Sequence, residues 1–474
     1  MSARLLTAGF MLVGFACACS PHDVTENPEA PVALPDSYGG ETPATAAQAP
    51  KPERWWTAFG HPDLDRLIER ALAGNFDLHA AWARLWQSEA LADQAGAPRW
   101  PQLEASLGGR VSRGRFFPGA PTRTDTFASG SLAASYEVDI WDKLGSTARA
   151  AALERDAAAD AVQALAMTLT ARVAETWFDL VRTRAQRALL EEQLATSTAF
   201  LDLLKARFSQ GMATAVEVSQ QEQLAIGTRS ELVLTHSREA VLTHQLAVLV
   251  GEVPGRVQPG AGAQLPELPP LPATGVPSEL LQRRPDLRAA QRRVEAADNR
   301  IAAAIADRYP SLRLTAQVSS EPGTPNDWLL DPIWSLAAGL TAPIFDGGRR
   351  AAEVERRRAM MAELVANYGQ TVLTAMVEVQ DALVQEQRQR ERIVEITNQL
   401  QVADTTLDLV RARYGQGAAD FLSVLTALTS QQQVQLNLLQ ARRELLSHRI
   451  QLCRALGDTW TTELKRPEDR KSVV

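Results

Sequence analysis

The sequence predicts an α+β membrane protein that is exported and internally duplicated. Three observations carry this: one block of the chain occurs twice, four segments alternate apolar and polar residues over a bilayer-spanning length, and two stretches read as helices far longer than a globular domain uses.

The repeated block is Leu201 to Val218, LDLLKARFSQGMATAVEV, which returns as Leu407 to Val424, LDLVRARYGQGAADFLSV. Leu201, Asp202, Ala206, Arg207, Gln210, Gly211 and Val218 recur as Leu407, Asp408, Ala412, Arg413, Gln416, Gly417 and Val424 at one offset of 206 residues (413 − 207), with no gap. Each copy reads as a helix ending at a Gly able to take positive φ, a short polar turn, and a second helix folding back, which is a helical hairpin tip. Upstream, Arg99-Trp100-Pro101-Gln102-Leu103 matches Arg308-Tyr309-Pro310-Ser311-Leu312, and Ile140-Trp141-Asp142 matches Ile344-Phe345-Asp346. Length alone would suggest about three domains. The duplication argues instead for two similar halves, 54–252 and 278–458, joined by a proline-rich linker over 253–277 and followed by a flexible charged tail over 459–474.

The chain opens with Arg4 and an apolar run from Leu5 to Ala16, too short to cross a bilayer permanently, so residues 1–18 read as an export signal. Ala16-Cys17-Ala18 fits ordinary signal cleavage, whereas Ala18-Cys19-Ser20 looks like a bacterial lipoprotein acceptor in which Cys19 is acylated; both cut before Cys19. Pro21 after Ser20, with no Asp there, fits release to the outer membrane. Residues 19–53, rich in Pro, Ala and Thr, read as an extended tether.

From Arg54 the pattern is helical, with Leu64, Leu67, Ile68, Ala71 and Leu72 at helical spacing until Trp100-Pro101. The period then changes. Leu103, Ala105, Leu107, Gly109 and Val111 alternate with Gln102, Glu104, Ser106, Arg110 and Ser112, and Phe127 to Asp139 alternates likewise. In the second half Leu312, Leu314, Ala316 and Val318, then Trp334, Leu336, Ala338, Leu340 and Ala342, repeat the scheme. Aromatic residues stand at strand ends, Trp100, Trp141, Tyr309 and Phe345, as in an interfacial girdle. Four strands cannot close a barrel, and an open edge in lipid leaves backbone groups unpaired, so several chains must share one barrel.

Ser146 to Gln210 contains neither Gly nor Pro and as a helix would reach about 100 Å. Leu190, Leu194, Leu201, Leu204 and Phe208 form a coiled-coil-like seam, repeated by Leu400, Leu407, Val410 and Tyr414. Beyond each tip, Met212 to Val250 and Ala418 to Leu456 return as helices.

Composition excludes several classes. A net charge of -7 gives no electrostatic reason to expect nucleic acid. Besides Cys19, only Cys453 remains in the body, and the six His residues are scattered; His236 and His244 lack ligands at a closing spacing. No Ser/His/Asp order, phosphate loop or dinucleotide fingerprint stands out, so neither an enzyme nor a cofactor is expected. A periplasmic coiled-coil scaffold without a pore is the main rival, and it has no need of four bilayer-length strands.

These residues resemble the TolC-like outer membrane factors of tripartite efflux systems, in the lipoprotein branch serving resistance-nodulation-division pumps. WWTAFGHPDLDRLIERAL with NFDLHAAWARL, RRPDLRAAQRRVEAADNRIAAAIADRYPSL, PIFDGGRR and the two Arg-aromatic-x-x-Gly tips carry the resemblance across essentially the mature chain. The resemblance implies a homotrimer whose protomers each give four strands to a twelve-stranded barrel in the outer-membrane lipid and long helices to a tapering periplasmic tunnel. It implies an inner-membrane resistance-nodulation-division transporter and a periplasmic adaptor (membrane fusion) protein, the latter meeting Gly211, Met212, Ala213 and Thr214 at one tip and Gly417, Ala418 and Ala419 at the other. Near the tips the family closes its tunnel, and Glu217, Tyr414 and Leu422 match gate positions, with Asp420 able to supply charge nearby. Ala419 replaces an Arg frequent in the family, and Ser423 and Thr426 replace acidic residues. The cargo stays open between small solutes and, as in type I secretion, a polypeptide.

Overall fold

The structure is a computed structural model and describes residues 20–35, 37–38, 54–115, 117–260, 264–320 and 332–466. Helices α1 (Pro62–Gly74) and α2 (Phe76–Gly96) lead to strands β1 (Gln102–Gly114) and β2 (Arg123–Val138), then to α3 (Lys143–Ser209) and α4 (Ala215–Val250). The short α5 (Leu280–Arg283) and α6 (Pro285–Ala306) lead to β3 (Ser311–Ser320) and β4 (Ile333–Thr341), then to α7 (Arg349–Gly415) and α8 (Phe421–Leu456). Helices α3 and α7 each have 67 residues, about 100 Å of helix. Among the described residues no helix is long and apolar enough to cross a membrane.

Two compact units divide the chain. The first comprises 1–31, 84–159 and 289–369, and the second comprises 32–83, 160–288 and 370–474.

The first unit holds the sheet. Its strands pair antiparallel in the order β1-β2-β3-β4. β2 is longer than its alternation indicated, because Arg123 to Thr126 pair with Val111 to Gly114 on the far side of the loop. Register sorts the side chains onto two faces. On one, Leu103 and Leu107 stand opposite Ala134 and Gly130, Leu132 opposite Val318, and Leu312, Ala316 and Val318 opposite Leu340, Leu336 and Trp334. On the other, the Ser106 and Ser131 hydroxyls meet at 2.7 Å and Arg313 pairs with Glu137 at 3.4 Å.

The helix beginning at Lys143 starts earlier than the Gly-free run indicated. Asp139 accepts hydrogen bonds from the Leu144 and Gly145 amides at 3.0 and 2.7 Å, which caps the helix and admits Gly145 into its first turn. At the start of α7, Asp346 does the same for the Gly348 and Arg350 amides at 3.0 and 3.2 Å.

The second unit has an aromatic core. A 3-10 turn, Trp55–Phe59, sets Trp56 edge-on to Trp460 at 4.9 Å and Phe59 against Phe178 at 5.2 Å. Trp460 lies in the segment 459–474 expected to be loose, of which 467–474 fall outside the described residues. Residues Thr459–Glu463 instead form a 3-10 turn, because burying an indole against Trp56 outweighs the local charge that pointed to a mobile tail.

The proline-rich linker is likewise held. The Arg449 guanidinium donates to the Pro269 and Pro270 carbonyls at 2.6 and 2.7 Å, and it forks onto Glu386 at 2.8 and 2.7 Å. Proline has no amide hydrogen to offer, but its carbonyl remains a strong acceptor, and a buried arginine uses it.

Candidate functional site

Three places on the chain can carry function: the sheet, the segment after Cys19, and the two hairpin tips.

At the sheet, Leu103, Leu107 and Val111 of β1 and Trp334, Leu336 and Leu340 of β4 are exposed apolar side chains on one continuous face. In water that face would be costly; in hydrocarbon it is the favourable surface, with the hydroxyl-lined and charged face turned away from lipid. Neither β1 nor β4 has a strand partner on its outer side among the described residues. Of the strand-end aromatics, Trp141 stacks on Tyr309 at 4.7 Å and donates its indole N–H to the Pro310 carbonyl at 2.8 Å, while Trp100 and Phe345 stand exposed.

The second place concerns the tether. Cys19 lies outside the described residues, but the chain immediately after it is docked rather than free. Asp298, buried in α6, accepts from the His22 imidazole at 2.7 Å and from the Thr25 amide at 2.7 Å. A charged carboxylate taken out of water needs such partners, and the segment supplies two. Nothing in local sequence announces this, since the partners lie far apart in the chain. Further along, Tyr38 is buried, and burial pushes its hydroxyl up to about 12.

At the tips, Gly211 and Gly417 both take φ of 74°. The following amides, of Met212 and Ala418, reach back to the Arg207 and Arg413 carbonyls at 2.9 and 2.8 Å, closing α3 and α7 by the same Schellman arrangement. Gly211, Met212, Thr214, Gly417 and Ala418 are exposed. Ala213 and Ala419 are half-buried against a small core of Leu204, Tyr414, Phe421 and Val424 that joins the two hairpins.

Thr214 and Glu217 form a capping box at the start of α4, a T-x-x-E pattern readable in the sequence. Glu217 also faces the other tip, accepting from the Tyr414 hydroxyl at 3.5 Å, while Arg207 lies over the Tyr414 ring at 4.9 Å. Burial, then the Glu217 charge, raises the Tyr414 hydroxyl above its ordinary range, which keeps it protonated and donating.

Asp420 is the N-cap of α8, accepting from the Ser423 amide at 3.0 Å. Its carboxyl sits below the ordinary range because the Ser423 hydroxyl and amide hold the charged form. Leu422, Ser423 and Thr426 line a groove of about 870 Å³ between α7 and α8. The seam expected along α3 ends at Leu204. Phe208, the counterpart of Tyr414, is exposed, because the tip core admits the second-half aromatic and not the first.

An open-edged antiparallel sheet with a lipid-suited face, carried on helices of about 100 Å, defines a membrane-embedded channel-forming protein. The comparisons place it further. A family model described as outer membrane efflux protein matches residues 67–252 and 276–458. The chain is 33% identical to the pyoverdine export outer membrane protein OpmQ of Pseudomonas aeruginosa, with 97% of each covered. It is 34% identical to the protein of the same description in Pseudomonas putida, over 91% of this chain and 93% of that one. The solved structure of CusC superposes with a TM-score of 0.83 at 26% identity, covering 93% of this chain and 100% of that one. The chain belongs to the outer membrane efflux protein family, and it is an outer membrane efflux channel.

Proposed function

We propose that this protein is the outer-membrane conduit of a tripartite pump that exports small solutes, working as a homotrimer of duplicated protomers. The observation that carries the reading is the open sheet. β1 and β4 each offer an unpaired edge, and an unpaired edge in hydrocarbon leaves several backbone groups without partners. Pairing β4 of one protomer with β1 of the next removes both edges, and three protomers of four strands give a twelve-stranded barrel whose hydroxyl-lined face surrounds the conduit. The long helices then extend the same conduit into the periplasm.

In this reading the exposed tip positions Gly211, Met212, Thr214, Gly417 and Ala418 meet a periplasmic adaptor, which connects to an inner-membrane resistance-nodulation-division transporter. The Tyr414–Glu217 link across the tips belongs to the closed state, with Asp420 holding α8 and Leu422 facing the groove beside it. Cys19 is acylated, and the docked segment from Ser20 onward holds that anchor against the protein. The relatives in both Pseudomonas species are described as pyoverdine exporters, which favours a small solute over a polypeptide as cargo.

Native mass spectrometry of the detergent-solubilised protein tests the assembly. A trimer whose N-terminal peptide carries acyl chains on Cys19 is expected. A stable monomer that conducts no ions in planar bilayers would overturn the reading.

A further inference from the structure

Just beyond the strand ends that carry Trp141, Tyr309 and Phe345, the first unit contains a hollow of about 400 Å³. Its floor is made of small side chains, Ala95 of α2, Ala150 and Ala151 of α3, and Ala303 and Ala304 of α6. Around that floor stand five cations: Lys143, Arg300, Arg349, Arg350 and Arg357. Two acids, Asp307 and Glu353, share the lining.

These acids do not neutralise the site. Asp307 is shared between Lys143 and Arg350, the latter at 3.0 Å, and Glu353 between Arg356 and Arg357, both at 2.7 Å; beside the lining, Asp346 also holds Arg350 at 3.1 Å and Glu154 holds Arg300 at 2.9 Å, so four acids face six cations. Arg349 is exposed and has no ion-pair partner among the described residues. The hollow therefore presents surplus positive charge over a surface of methyl groups, although the chain as a whole carries a net charge of -7.

Its position follows from helical geometry. In α6, successive residues turn by about 100°, so Arg300, Ala304 and Asp307 lie roughly opposite Asp298. Asp298 is where the N-terminal segment docks through His22 and Thr25. With Cys19 anchored in the bilayer, as the reading above has it, this segment runs over the outer side of the helices, and the hollow then falls on the inner side.

We propose that this hollow is an anion-binding site facing the conduit, repeated in each protomer, which biases the channel toward anionic solutes, those bearing carboxylate, sulfonate or phosphate groups. This rests on the channel reading above. A cationic wall in a confined, poorly screened space raises the local concentration of anions, and guanidinium forks suit oxyanions.

The probe is inorganic tripolyphosphate, titrated calorimetrically into the purified full-length protein in detergent. Saturable binding is expected, weakened at least about tenfold in the double variant Arg349→Gln, Arg357→Gln, in line with the loss of two charge-assisted contacts. Arg356 still pairs with Glu353 in that variant, and circular dichroism with native mass spectrometry confirms that it folds and assembles. In planar bilayers the same anion, added on the barrel side, should reduce the wild-type current and spare the variant.

Absence of binding, or binding equal in the variant, overturns the proposal. Variant-sensitive binding with an unblocked current overturns the placement inside the conduit, as does co-purified anionic phospholipid that the variant loses. If neither protein conducts, the channel reading fails, while the titration still decides whether the hollow binds anions.

Discussion

The Tyr414 hydroxyl of α7 donates to Glu217 of α4 across 3.5 Å, so a side chain of the second hairpin leans on the capping box of the first. Widening the tips separates these groups. Tyr414→Phe keeps the ring in the tip core and removes only this bond, worth about 0.5–1.5 kcal/mol. The fraction of time the channel spends open in planar bilayers should rise about two- to tenfold; an unchanged open fraction would mean the link plays no part in closure.

The same pair sets a pH dependence. Burial and the Glu217 charge both favour the neutral phenol and raise its folded value above the ordinary 10.0. Its contribution is therefore complete below that ordinary value and is lost as pH rises through the higher folded one. Wild type and Tyr414→Phe should differ at neutral pH and converge in strongly alkaline buffer. Convergence at neutral or acidic pH would contradict this assignment.

Gly417 has φ of 74°, and a Cβ built there meets no atom within 4 Å. A side chain at this position costs about 1 kcal/mol of backbone strain and projects into open space. Gly417→Trp should assemble and insert normally yet abolish efflux-dependent resistance, because the indole occupies the place of the adaptor; Gly211→Trp should be similar but milder. Wild-type efflux from normally assembled Gly417→Trp would remove the adaptor contact from that tip.

Asp298→Ala removes the acceptor of both His22 and the Thr25 amide. Two charge-assisted bonds are lost, about 1.5–3 kcal/mol each at most. Hydrogen exchange should show the segment from residue 20 to 31 losing protection while the sheet keeps its own. Unchanged protection would mean that other contacts hold the segment.

Arg449→Met removes the buried fork from Glu386, leaving it Arg390 at 2.7 Å, and frees the Pro269 and Pro270 carbonyls. Leaving a buried charge wholly uncompensated costs about 3–5 kcal/mol, and the retained Arg390 contact keeps the loss here below that. Thermal unfolding should move down by several degrees, with Arg449→Lys intermediate because an ammonium supplies charge without the fork. An unshifted midpoint would show that water replaces the guanidinium there.

The sequence by itself determined the four strands and the sorting of their side chains onto two faces, because a period of two survives any tertiary arrangement. It also determined the helical runs and the places where Gly permits the chain to turn. Local rules suffice for these: side-chain alternation, capping patterns and positive φ are properties of neighbouring residues. Even the capping box at Thr214 and Glu217 was legible in four letters. Tertiary structure decided what depends on residues far apart in the chain. Phe208 and Tyr414 occupy equivalent places in the repeated block, yet only Tyr414 enters the tip core and takes Arg207 over its ring. The docking of His22 on Asp298, the clasp of Arg449 on the proline linker and the packing of Trp460 on Trp56 likewise overrode compositions that read as loose chain. Composition reports how much a segment can bury by itself; whether it is buried depends on a partner surface that exists only once the rest of the chain has folded around it.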